Sequence, residues 1–415
     1  MKQTAAEIST FIADYTLIEK ENFGGKQLTR IEKFKVDSYT IPRFINEFWT
    51  PRQRQNNPIH EISYRACFKA ELPRFFISLL TEEEDVVYDP FSGRGTTIIE
   101  AALLGRKVIS NDINPLSKIL CYPRLFIPPR QEVEYRLKEI SLMENLKADI
   151  DLSMFYHYKT EAEIVSLRNY LINKNRTGRE DYVDRWIRMV ATNRLTGHSK
   201  NFFSVYTLPP NQAVSRDRQR KINKERQQIP LYKNTRGIIL KKTNDLIKKL
   251  TEGQIKQLRQ IGEKALFFTE DAGSTKKINS NSVSLTVTSP PFLDVVNYKE
   301  DNWLRCWFNN LNIDEFSRGI TVSRKLDEWK DTMSKIFDEL YRITRKGGWI
   351  AFEVGEIRKG KIKLDEHIVP LGVNAGFRCE GIIVNLQKFT KTANIWGISN
   401  NNAGTNTNRI VIFRK

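Results

Sequence analysis

The sequence predicts an α/β protein, a doubly wound sheet of about seven strands interrupted by a largely helical, basic insertion. Three observations carry that expectation. Residues 85–100 run from β-branched and aromatic positions (Val86, Val87, Tyr88) through Asp89 and Pro90 into a turn holding Gly93 and Gly95, and on into helix formers. A further strand-like run, Val283–Thr288, stops at Ser289-Pro290-Pro291-Phe292. Between the two, the chain turns polar, helix-periodic and strongly positive.

In chain order, residues 1–60 read as an N-terminal extension packed on the core, with Pro42, Pro51 and Pro58 interrupting any long helix. Glu71–Leu80 is an apolar helix with Pro73 in its first turn, where a missing N–H costs nothing. After the strand that ends at Asp89, Gly93 and Gly95 lack a Cβ, so the backbone turns tightly and a ligand approaches closely. Helix formers from Thr96 stop at Gly105, which suits a left-handed cap. Lys107 to Asp112 is the next strand, and its final carboxylate stands where nucleotide-type sites hold ribose hydroxyls. Arg94-Gly-Thr-Thr supplies no Gly-Lys-Ser/Thr, which disfavours a P-loop, and Ile98 in the third glycine's place leaves the dinucleotide fingerprint incomplete. The insertion contains helices over Thr160–Leu171, with Thr160 and Glu163 at capping-box spacing, and over Val183–Leu195, ended by Gly197. Strand–helix alternation resumes at Lys264–Phe268. It continues through helices Asn302–Phe308 and Leu326–Arg342, a turn at Arg345–Gly348, and strands Trp349–Val354, Gly381–Leu386 and Arg409–Phe413.

A length of 415 residues exceeds one typical domain. The expected organisation is the extension (1–60), one α/β domain assembled from 61–120 and 261–415, and the insertion (121–260) as a target-recognition region. With 40% hydrophobic and 28% charged residues the composition is that of a soluble globular protein, and no apolar run approaches the roughly 18 residues of a membrane span. The first ten residues lack the apolar stretch of a secretory signal, so a cytoplasmic location is expected. Cys67, Cys121, Cys306 and Cys379 have no metal-ligand spacing, and no metal is implied. A net charge of +18 points to a polyanionic partner, nucleic acid ahead of anionic lipid.

The stretch Asp89-Pro90-Phe91-Ser92-Gly93-Arg94-Gly95-Thr96-Thr97 resembles the cofactor motif of the S-adenosylmethionine-dependent DNA amino-methyltransferases. Ser289-Pro290-Pro291-Phe292 resembles their catalytic tetrapeptide, which is Asp, Asn or Ser followed by Pro-Pro and an aromatic residue. The resemblance covers roughly 60–120 and 264–413. It implies a sheet of the class I methyltransferase type, S-adenosyl-L-methionine as cofactor, and methyl transfer to the exocyclic amine of a base flipped out of double-stranded DNA. It also implies a restriction-modification setting, with a cognate restriction endonuclease acting on the same site. Carried over residue by residue, the cofactor positions are Phe68, in a segment over the methionine end that Arg65 and Pro73 also match loosely; Asp89, Pro90, Phe91, Gly93, Gly95 and Thr96 in the loop; Asp112 and Ile113 at the ribose; and Asp271 and Ala272 near the adenine. At the catalytic motif, Ser289 Oγ and the Pro290 carbonyl accept the amino hydrogens, prolines 290 and 291 stiffen the strand end, and Phe292 stacks on the base, with Trp396 over its other face. Serine in the first position points to N4 of cytosine ahead of N6 of adenine, although Phe292 departs from the commoner tyrosine. An RNA amino-methyltransferase and a non-catalytic DNA-binding module remain open.

Most of the excess charge lies outside the predicted sheet: residues 151–260 carry about +13. Within that region Arg216, Arg218, Arg220, Lys221, Lys224 and Arg226 form a dense basic run beside Phe202, Phe203, Tyr206 and Tyr232, groups able to pack on sugars and bases. This is where DNA is expected to lie; the competing reading is a solvated helix face. His157 and His198 read as structural.

Overall fold

Strands form where apolar and β-branched residues run consecutively. They are β1 (Arg30–Val36), β2 (Tyr39–Asn46), β3 (Val86–Asp89), β4 (Lys107–Asn111), β5 (Leu266–Phe268), β6 (Val283–Thr288), β7 (Thr344–Val354), β8 (Glu356–Ile357), β9 (Ile362–Lys363), β10 (Arg378–Leu386) and β11 (Thr407–Arg414). The computed structural model describes residues 4–15, 28–36, 39–49, 57–65, 67–208, 213–291, 298–317, 325–357, 361–386 and 407–415. Among these, nine strands join one sheet in the order β1-β2-β10-β11-β7-β6-β3-β4-β5. The block β5, β4, β3, β6 and β7 is parallel, and β11 runs antiparallel to both β7 and β10.

The central strands are covered on both faces, which explains why they read as unbroken apolar runs. Val87, Leu285, Ala351 and Ile412 belong to the core on one face, and Tyr88, Ile350, Phe352, Val411 and Phe413 to the core on the other. Helices Glu71–Leu80 and Thr96–Leu103 lie with the first group, and Leu326–Ile343 and Leu364–Asn374 with the second. Helix Glu71–Leu80 has the bounds the sequence predicts, with Pro73 buried in its first turn.

Two expectations are corrected. The sheet has nine strands where about seven were expected, because residues 30–46 form an antiparallel hairpin that extends it, with β2 running parallel to β10. Pro42 does not break this strand. It lies one residue before the β2–β10 ladder begins at Arg43, so on that side no ladder hydrogen bond is lost. Asn385 fixes the join from below: its Oδ1 accepts the backbone N–H groups of Phe48 (2.7 Å) and Trp49 (3.1 Å).

The second correction concerns the insertion, whose long helix spans Tyr158–Arg176 and is capped by His157 rather than by Thr160. Thr160 and Glu163 instead reach across to the chain near 233–235: Thr160 Oγ1 accepts from Lys233 N (2.7 Å), and Glu163 accepts from Thr235 (2.9 Å). The helices of 121–260 are not a detached lobe, since Leu167, Trp186 and Ile239 share one core with Val87 and Leu285. No helix among the described residues is long and apolar enough to cross a membrane.

Candidate active site

Parallel strands end on one edge of a sheet, and in doubly wound folds ligands bind outside the carboxyl ends where the strand order reverses. Here that reversal falls between β3 and β6, since β3, β4 and β5 step outward one way and β6 and β7 the other. At this junction Asp89 is buried, and its Oδ1 accepts from Thr288 Oγ1 (2.6 Å) and from Phe91 N (3.1 Å). A second tie runs from Thr97 Oγ1 to the Val287 carbonyl (3.1 Å). The cofactor-type loop and the catalytic-type strand end are therefore fastened to each other. Burial raises the Asp89 carboxyl to about 7 against its hydrogen-bond donors, which lower it.

The loop after β3 is held from several sides. Gly93 (φ +51°) and Gly95 (φ +79°) both occupy the left-handed region. They differ in what surrounds them. A Cβ on Gly93 would sit 3.4 Å from the Tyr64 ring, whereas one on Gly95 would fall 2.1 Å from Cys121 Sγ. The glycine at 95 is therefore required by packing against helix Leu116–Cys121, and only Gly93 lies on the open side. Ser92, Gly95 and Thr96 are buried beneath the loop, while Phe91 and Gly93 are partly exposed.

Asp112 lies at the end of β4 as its motif predicts. Its Oδ2 accepts from Gly93 N (2.7 Å) and its Oδ1 from Asn114 N (2.9 Å). It is partly exposed, burial lifts its carboxyl to about 6, and each oxygen keeps a lone pair for a further donor. Ile113 beside it is partly exposed. Asp271 is exposed and accepts from Gly273 N (2.8 Å) through Oδ1, and Ala272 is buried against the second core.

Two supporting residues, Asn111 and Arg124, carry no sequence signal of their own, and a third, Arg94, lies inside the motif with no role assigned to it there. Asn111, fully buried, bridges β4 to the loop after β5 by accepting from Glu270 N (3.0 Å) and donating to the Glu270 carbonyl (3.0 Å). Arg94 donates to the carbonyls of Ile62 (3.1 Å) and Phe68 (3.3 Å), which holds the Phe68 segment over the loop. Arg124, buried, supports the loop from beneath through the carbonyls of Ile59 (3.2 Å), Leu120 (3.0 Å) and Arg94. Arg65 pairs with Asp301 (2.8 Å), joining the Phe68 segment to helix Tyr298–Phe308.

At the end of β6, Ser289 is half-buried, Pro290 is buried, and the Pro291 carbonyl accepts the Trp329 indole N–H (3.0 Å). Beside them, on the adjacent parallel strand β7, sits Glu353, which no motif in the sequence singles out. It is buried, accepts from Asn408 Nδ2, and follows Phe352, the register partner of Thr288, so that it neighbours Ser289. Burial raises its carboxyl to about 7, while the side chains of Asn408 and Ser289 lower it. Phe292 and Trp396 lie outside the described residues.

The basic run forms helix Arg216–Glu225, capped by Ser215. Arg220 is paired with Asp217 (2.7 Å) and Asp151 (2.8 Å), Lys221 lies near Glu225 (3.9 Å), and Arg226 stacks on Tyr206 (3.8 Å). Arg216, Arg218 and Lys224 form no ion pair among the described residues. Phe202 and Phe203 do not serve the expected role on bases, because both are buried in the insertion. Among the described residues no group of three or more His, Cys, Asp or Glu converges as a metal site would require.

Residues 12–118 match the family model for DNA methylases of the N6/N4 type. The chain is similar to the N4/N6 amino-methyltransferases of DNA. The matched segment holds β1 to β4 and the Gly93–Asp112 site, and ends before Ser289. Type II methyltransferase M.BsoBI of Geobacillus stearothermophilus is 31% identical over 148 residues, which is 34% of this chain and 28% of that protein. Type II methyltransferase M.PvuII of Proteus hauseri is 45% identical over 53 residues, 13% of this chain and 16% of that one. The chain thus spans under a third of the length of either relative. Among solved structures, a SAM-dependent methyltransferase of Methanosarcina mazei aligns over 82% of this chain and 96% of its own at 11% identity, with a TM-score of 0.31. A DNA modification methylase of Thermus thermophilus, solved with S-adenosyl-L-methionine, aligns over 35% and 53% at 20% identity, with a TM-score of 0.21.

Proposed function

We propose that this chain transfers a methyl group from S-adenosyl-L-methionine to the exocyclic amine of a base flipped out of double-stranded DNA, with N4 of cytosine as the acceptor. The observation that carries the reading is the adjacency of two sites at one switch point: the Gly93–Asp112 loop and the Ser289–Glu353 pair, tied by the Asp89–Thr288 hydrogen bond. The residues present fit the cofactor. Asp112 offers a partly exposed carboxylate to ribose hydroxyls, Gly93 leaves the backbone open to it, and Arg94 holds Phe68 over the same loop. When bound, the cofactor supplies an electrophilic methyl group on a sulfonium.

The acceptor amine is a weak nucleophile because its lone pair is shared with the ring. Acceptors placed on its hydrogens help to localise that pair on nitrogen. A hydrogen bond between Ser289 and its neighbour Glu353 would decide how Ser289 acts. If its O–H donates to the carboxylate, the Oγ lone pairs face the amine. As methyl transfer leaves positive charge on nitrogen, an amine N–H bond breaks and its proton passes to Ser289 Oγ, while the serine's own proton passes to Glu353. A carboxyl near 7 accepts a proton more readily than one near its ordinary value. Ser289 in the first motif position supports cytosine over adenine by resemblance. The type II names of both relatives support extending the reading to a companion endonuclease of the same specificity.

The test is to incubate the purified protein with mixed-sequence duplex DNA and labelled cofactor, then identify the methylated nucleoside by mass. N4-methylcytosine is the expected product. N6-methyladenine alone would overturn the base assignment, labelling of RNA in place of DNA would overturn the substrate class, and no labelling of either would overturn the enzymatic reading.

A further inference from the structure

The loop that follows the basic helix carries apolar side chains in an unusual setting. It is pinned at both ends. Gln228 Nε2 donates to the Tyr206 carbonyl (2.9 Å) and to Asn223 Oδ1 (2.9 Å). At the other end Thr160 Oγ1 accepts from Lys233 N (2.7 Å) and donates to its carbonyl (3.1 Å), and Tyr232 donates to Glu163 (2.8 Å). Between these anchors Ile229 and Leu231 are 74% and 65% exposed on either side of Pro230, and Tyr158, 62% exposed, packs on His157, whose ring also meets Tyr232. Single exposed aliphatics are ordinary. A proline-stiffened loop, fastened at both ends and presenting two of them, holds an apolar tip in place before any partner arrives.

The surroundings say what that partner is. Between 216 and 236 the chain carries eight basic residues against two acidic ones. A second copy of this chain, itself at +18, would meet that positive stretch with like charge. A polyanion would be drawn to it. Apolar side chains flanked by cations are the means by which proteins enter a stacked duplex, the cations holding phosphates while the wedge separates a base step. We propose that Ile229, Pro230 and Leu231 form a wedge that inserts between base pairs of the duplex, and that Arg216, Arg218 and Lys224 hold the phosphates beside it. This rests on the reading of the chain as a DNA methyltransferase, and gives the insertion a mechanical part in opening the stack before a base leaves it.

The test uses the full-length protein and closed circular plasmid. Inserting side chains between base pairs unwinds DNA, so plasmid relaxed by topoisomerase in the presence of the protein should emerge with a lowered linking number. The variant I229S/L231S should lose most of that shift while keeping its melting temperature and cofactor affinity. L231S alone should lose part of it. An unchanged shift in the double variant would overturn the wedge. So would sedimentation showing that the wild type self-associates and the variant does not, which would make the loop a contact between copies. The underlying reading fails separately, if the wild type transfers no methyl group to the plasmid. The linking-number comparison is read without turnover and remains interpretable in that case.

Discussion

Asp89 and Glu353 make a natural pair for comparison. Each is a buried carboxyl at or near the carboxyl end of a parallel strand, and burial raises each to about 7. Their partners differ. Asp89 is bonded to Thr288 and to the backbone of Phe91, and so fastens β3 to β6. Glu353 neighbours Ser289, the residue proposed to meet the substrate, and that side chain lowers its carboxyl against burial. On the proposed function, similar electrostatic environments serve a structural and a chemical end, and the neighbouring side chain tells them apart.

The comparison breaks most visibly in turnover. Ser289→Ala is expected to lower methyl transfer by about 100-fold or more while calorimetry shows cofactor affinity unchanged. Glu353→Gln should follow with a loss of about tenfold to 100-fold, because an amide N–H directed at Ser289 reverses the hydroxyl and occupies the lone pair meant for the amine. Wild-type single-turnover rates should rise as pH is taken from 6 to 8, since Glu353 accepts a proton only when ionised; the glutamine variant should be flat. A Glu353→Gln enzyme with wild-type rate and pH profile would return Glu353 to the structural class of Asp89.

Stability should treat the two carboxyls alike. Each folded carboxyl near 7 stands above its unfolded value near 4, so between those pH values the unfolded chain has released protons that the folded chain still holds. Their contribution to stability is therefore largest at low pH and falls as pH rises through 7. Asp89→Asn and Glu353→Gln remove that loss, and each should raise the melting temperature relative to wild type more at pH 8 than at pH 5, by up to roughly 3 kcal/mol in stability. Only Glu353→Gln should also cost turnover.

Smaller effects test the loop and the insertion. Asp112→Ala should weaken cofactor binding by about tenfold or more in calorimetry, as a charged acceptor is lost. Gly95→Val should instead lower the melting temperature before it touches affinity, because its side chain meets Cys121. Neutralising Arg216, Arg218 and Lys224 should flatten the slope of log affinity against log salt by about 0.9 for each phosphate left unneutralised. Adding Arg220, already paired with Asp151 and Asp217, should change that slope less.

What the sequence discloses divides along the same line. The Gly93–Asp112 site and the Ser289 motif are local: a strand, a turn and a few residues carry the whole signal, and the structure sets them at one switch point. Helix Glu71–Leu80 is legible for the same reason, through its apolar face and early proline. Glu353, Asn111 and Arg124 are illegible, and Arg94 is legible only as a motif position, since each acts through groups brought near only by the fold. The hairpin β1–β2 is a different failure. Its alternation is present, but Pro42 weighs against a strand, and the β10 partner that makes the proline harmless lies at the other end of the sequence.

That pairing has a consequence for synthesis. Residues 43–46 lie against 382–385 in the finished sheet. At about 5–20 residues per second, the interval between their emergence is on the order of 17 to 70 seconds. Until β10 exists, the edge of β2 that pairs with it lacks its ladder partner, while the insertion and β6 are made. A protease added to stalled nascent chains should therefore cut near 39–46 until β10 has left the ribosome and spare it afterwards. Early protection at that site would show that the hairpin finds shelter before β10 exists.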